Sequence, residues 1–105
     1  MCRNGWIADY NDPVSFLDMF MTNNGNNDAH YANSEYDAIM NQVLSDSDAE
    51  ARMELMHQAE DLLVGEDCAI APLYYYSNPY MVADDVHGMY YNPLGLFMFA
   101  YCTKG

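Results

Sequence analysis

Within Gly5-Trp6-Ile7-Ala8-Asp9-Tyr10-Asn11-Asp12-Pro13-Val14-Ser15-Phe16-Leu17 one carboxylate, Asp9, stands between two aromatic residues, and the chain then turns into a helix start. A carboxylate flanked by rings reads as an edge that contacts a ligand. Side chains alternate along an extended segment, so Trp6, Ala8 and Tyr10 point to one side and Ile7 and Asp9 to the other. The plainer reading of Asp9 is an aspartate that ends a strand and turns toward Asn11. Asp12-Pro13 closes the strand pattern, with Asp12 as N-cap and Pro13 at the first helical position, where its missing N–H costs nothing.

Other chemistries find little support. His30, His57 and His87 are far apart and lack a second ligand at metal-binding spacing, so neither a metal nor any other cofactor is expected. No nucleophile elbow, metalloprotease motif, phosphate loop or dinucleotide fingerprint occurs, and the chain is read as a non-enzyme; a hydrolase using Cys68 is the weakest class considered. Cys2, Cys68 and Cys102 make an odd set without zinc-like spacing. A Cys68 to Cys102 bridge and buried free thiols are the two readings open to them.

The net charge of −13, with Arg3, Arg52 and Lys104 as the only Lys or Arg cations, excludes a nucleic-acid backbone as partner and disfavours anionic membranes. At 51% hydrophobic the chain is too apolar for a disordered one, and its 105 residues can bury one modest core. Residues 1–5 contain no apolar signal core, and no run reaches the ~18 apolar residues of a membrane span. Met1 is accordingly read as an imposed start or an internal residue rather than a natural amino terminus.

The elements that must position these residues come from periodicity. Gly5 to Tyr10 reads as a strand, and Pro13 to about Met21 as a short, largely buried helix. The Asn and Gly cluster from Thr22 to Asp28 is a turn-rich connector. Asn33 or Ser34 caps a second helix whose Tyr36, Ile39, Met40, Val43 and Leu44 form one apolar stripe. Ser47 and Glu50 have capping-box spacing and open a third helix to about Val64, stopped by Gly65, with Leu55, Met56, Ala59, Leu62 and Leu63 inward. Ala69 to Tyr76 and Tyr80 to Ala83 read as strands, and Leu96 to Tyr101 as a last one. Tyr74, Tyr75 and Tyr76 alternate faces, which puts Tyr75 against the helices.

In family order, GWxADYxDPxxFL, Asn23-Asn24-Gly25-Asn26-Asn27, His30-Tyr31, Tyr36-Asp37, the Arg52 to Leu63 helix, Ile70-Ala71-Pro72-Leu73-Tyr74-Tyr75-Tyr76 and Val86-His87-Gly88 resemble the carboxyl-terminal third of the solute-binding proteins of oligopeptide and dipeptide ABC transporters. The resemblance implies an α/β unit (α+β is the variant): about three helices on a short mixed sheet, as a partial lobe of a two-lobed periplasmic-binding-protein fold. It implies that residues 1–77 belong to the carboxyl-terminal ligand lobe and 78–105 to a return segment in the other lobe.

For the site, the resemblance implies that Asp9 pairs with the α-amino group of a bound peptide. Gly5, Trp6 and Ile7 would offer main chain and a pocket wall, and Tyr76 a hydroxyl toward ligand backbone. A core tryptophan is the ordinary alternative for Trp6. The implied partners are a peptide and the membrane permease subunits of an importer. The implied location is extracytoplasmic, in the periplasm or lipid-anchored at the outer face of the cell membrane. The family also includes carriers of nickel, opines or sugars. The alternative function is an autonomous acidic α/β interaction module that self-associates through exposed strands.

Overall fold

The computed structural model describes residues 2–105. Met1, whose origin the sequence raised as a question, lies outside them. The chain forms two compact units, a helical one over Asp12–Leu73 and an aromatic one made of residues 2–11 and 74–105.

In the helical unit the first local signal works as expected and the element does not. The Asp12 carboxylate accepts from the Val14 amide at 3.0 Å, with Pro13 in the first turn. The chain then makes two 3₁₀ turns, Pro13–Phe16 and Asp18–Phe20, rather than one helix to Met21. Segments this short do not sustain α-helix unaided, and the Leu17 carbonyl, which takes the Phe20 amide at 3.0 Å, also takes the Tyr36 hydroxyl at 2.8 Å. Tertiary bonding therefore holds the tighter geometry.

Helix α1 spans Ser34–Ser45 and α2 spans Ala49–Glu60, continued by a π-helical turn, Asp61–Glu66. Asn33 caps α1, its side-chain oxygen taking the Glu35 and Tyr36 amides. Asp48, one residue beyond the Ser47 of the capping-box reading, caps α2 and takes the Glu50 and Ala51 amides, each at 2.9 Å. Gly65 is no stop. The helix runs through it, and the left-handed residue is Cys68 at φ 49°, after which Ala69 N–H returns to the Leu63 carbonyl at 2.9 Å.

The predicted inner faces meet. Val14, Tyr36, Met40, Val43, Met56, Ala59, Leu62 and Leu63 form one buried cluster, with Ile39 and Leu55 partly buried at its edge. Leu44, the last member of the expected stripe, is exposed.

In the aromatic unit, β1 (Val86–His87) pairs antiparallel with β4 (Thr103–Lys104), and β2 (Tyr90–Tyr91) with β3 (Phe97–Met98). Asn92 and Gly95 close the second hairpin, Gly95 at φ 85°. At Gly88, φ 78°, a Cβ would collide with the Tyr101 carbonyl oxygen, so only glycine fits. Helices with short strands are the mixed α/β class expected.

The strands read at Gly5–Tyr10, Ala69–Tyr76 and Tyr80–Ala83 are not formed: residues 2–8 and 68–83 carry no regular structure. A strand exists only with a ladder partner, and among the described residues no main-chain hydrogen bond ties 5–8 or 70–82 to another backbone group. The cysteines are free thiols, and Cys2 and Cys68 are exposed rather than buried.

Candidate functional site

All five candidate residues, Gly5, Trp6, Ile7, Asp9 and Tyr76, fall in the aromatic unit. Although no partner strand pairs with it, the amino-terminal segment keeps the alternation of an extended chain. Trp6 and Ala8 are half-buried, while Gly5, Ile7 and Asp9 are exposed. The Asp9 carboxylate therefore shares its side with Ile7, as the period of two predicts, and the Trp6 ring faces the other way. Only Tyr10 leaves the pattern, being exposed.

Trp6 carries an electrostatic oddity. Its Nε1–H is shut off from solvent and has no hydrogen-bond partner among the described residues. A buried donor left unmet costs about 1 to 3 kcal/mol.

Tyr76 is brought to the same unit by a residue that no sequence motif marks. The Arg3 guanidinium donates to the Tyr74 hydroxyl at 3.2 Å and lies 5.7 Å from the centre of the Tyr76 ring, a cation–π placement. Tyr74 and Tyr76 meet edge to face at 4.9 Å. Tyr75 does not pack against the helices: it is fully exposed, because the segment that was to hold it as a strand has no ladder. The available signal was that Arg3 is a lone cation six residues before Asp9 in a chain with three.

Further along, Tyr80, Tyr91 and Phe97 cluster, with Tyr80 5.1 Å and Tyr91 5.0 Å from Phe97, and the Asn78 amide donates to the Tyr91 hydroxyl at 2.9 Å. Ile7 reaches toward Gly95 at the tip of the second hairpin, where an added Cβ would lie 3.9 Å from its side chain. Extended main chain without a ladder, the exposed Asp9 carboxylate and accessible tyrosines thus belong to one unit. That set can hold an extended ligand by backbone pairing and a cationic group by charge.

The helical unit holds a different kind of constellation, also missed from sequence. Arg52 donates to Asp12 at 2.7 Å and to the Val43 carbonyl at 3.1 Å, one of the carbonyls that the end of α1 leaves without an intrahelical partner. The Val14 amide first, and then Arg52, hold the Asp12 carboxyl below the usual carboxylate range. The Asp67 carboxylate takes the Tyr31 hydroxyl and the Asn33 amide, both at 2.7 Å, and those bonds lower it likewise. Burial first pushes the Tyr31 and Tyr36 hydroxyls up. Asn27, buried, bonds through its side chain to both the amide and the carbonyl of Tyr31 and orders the Asn-rich connector. These are architectural bonds. Shallow depressions along α2 (Glu50, Met53, Glu54, His57) and in the connector (Asn23, Asn24, His30) include none of the five candidates.

No family model matches the chain. Individual proteins do. It is 36% identical over 102 residues, 97% of its length, to the dipeptide-binding protein DppE of Bacillus subtilis. It is 42% identical over 84% of its length to the periplasmic oligopeptide-binding protein OppA of Haemophilus influenzae, and 35% identical over 83% to the oligopeptide-binding protein OppA of Bacillus subtilis. The chain belongs to the oligopeptide- and dipeptide-binding protein family. It spans 19%, 16% and 16% of the length of these relatives, and so corresponds to one segment of such a protein.

Proposed function

We propose that this chain forms part of the ligand cleft of a peptide-binding component of an ABC importer. One observation carries the reading: the similarity to a dipeptide-binding protein extends over 97% of the chain, a span that takes in Gly5 through Tyr76. The geometry supports it. Residues 5–8 present extended main chain without a ladder, which suits pairing with a peptide backbone, and backbone pairing tolerates varied ligand sequence.

In this reading Asp9 takes the peptide α-ammonium, the Tyr76 hydroxyl meets ligand backbone, and Trp6 walls a side-chain pocket. Residues 1–77 line one lobe and 78–105 return to the other. The role is binding rather than catalysis, in partnership with permease subunits on the extracytoplasmic side. No helix among the described residues is long and apolar enough to cross a membrane. The self-associating module draws no support from the similar proteins, which are dipeptide- and oligopeptide-binding proteins.

Amide hydrogen exchange on the complete binding protein, with and without an extended peptide, tests the pairing. Protection of amides within Gly5–Ala8 on peptide addition is expected. Unchanged exchange there, with peptide bound, would remove this segment from the cleft.

A further inference from the structure

The two units differ in charge far more than in size. Thirteen of the sixteen carboxylates but only one of the three Lys or Arg cations, Arg52, lie in Asp12–Leu73, which leaves the helical unit at −12 and the aromatic unit at −1. A single guanidinium cannot offset thirteen carboxylates, and Arg52 is committed to Asp12 and the Val43 carbonyl. Several acids also stand where helix dipoles are negative. Neither α1 nor the π turn has a basic residue in its last turn; Glu66 stands in the last turn of the longer helix and Glu60 and Asp61 before it, all exposed.

We propose that the helical unit is ionic-strength dependent: self-repulsion among its carboxylates opposes the fold, and dissolved cations relieve it. A net charge this far from zero on so small a unit destabilises the compact state. The Debye length falls from about 30 Å at 10 mM salt to about 8 Å at physiological salt, so charges across the unit repel in the first condition and are largely screened in the second.

Helices occur only in this unit among the described residues, so far-ultraviolet circular dichroism of the full chain reports on it. Melts from about 10 mM to about 300 mM NaCl should show the midpoint rising by about 4 to 8 °C. The triple variant Glu60→Gln, Asp61→Asn, Glu66→Gln should melt higher than the parent at low salt and gain less from added NaCl. A midpoint that stays flat or falls, a helical signal equally absent at both salt levels, or a variant with the full parental increment would overturn the proposal.

Discussion

Every buried apolar side chain among the described residues lies in Asp12–Leu73, whereas twelve of the sixteen large apolar side chains exposed to solvent lie in residues 2–11 and 74–105. The helical unit closes its own core. The aromatic unit spends its tyrosines and phenylalanines on surface, and there the candidate ligand residues stand. In a segment that spans less than a fifth of its relatives' length, the contrast shows where the buried apolar surface is concentrated. Buried packing is gathered in the helical unit, and exposed rings, with the five candidate residues, in the aromatic one.

The largest effect that could break this comparison comes from paired truncations. Leu63→Ala should cost about 2 to 5 kcal/mol, because Leu63 is 1% exposed at the centre of the cluster. Tyr75→Ala removes a larger side chain and should change stability by no more than about 0.5 kcal/mol. Urea unfolding of both variants decides the matter, and equal losses would mean that the aromatic unit has a core of its own.

Arg52→Met comes next. It leaves the Val43 carbonyl and the Asp12 carboxylate without their shared donor, at side chains 24% and 25% exposed. The partial exposure discounts the ion pair, and the expected loss is about 1 to 2 kcal/mol, read in the same urea experiment.

The smallest effect is a pH dependence. Asp12 binds its proton less tightly in the folded chain than at its ordinary value of 3.8, so the stability it lends is fully present above that value and drains away as pH falls through the folded pKa below it. Acid titration of stability for Asp12→Asn should therefore be flatter than for the parent below about pH 4. Parallel curves would show that the carboxylate contributes nothing through its charge.

Much of the helical unit was legible because its information is local. The stripe of Tyr36, Met40 and Val43 and the row of Met56, Ala59, Leu62 and Leu63 name the core from spacing alone, and Asp12-Pro13 and Asn33 act as caps where they stand in sequence. The 3₁₀ geometry at Leu17 was not legible, since a tyrosine nineteen residues away helps set it. The π turn through Gly65 has the same cause: its packing through Leu62 and Leu63 overrides a local stop signal.

In the aromatic unit, propensity named strands at Ala69–Tyr76 that have no ladder. Strand propensity describes a fit to neighbouring strands, and this chain supplies none there. The alternation from Gly5 to Asp9 survived because it needs only extended backbone. Arg3 and Arg52 escaped notice because their partners are 71 and 40 residues away.

The claim that Asp9 reads a peptide's charged amino end is tested most directly by calorimetry on the complete binding protein, pairing parent and Asp9→Asn with free and amino-acetylated peptide. The variant should lose about 2 to 5 kcal/mol of binding to the free peptide. Acetylation should weaken the parent and add little to the variant's loss, because both changes remove one pair. Losses that simply add would mean that Asp9 and the ammonium group do not meet.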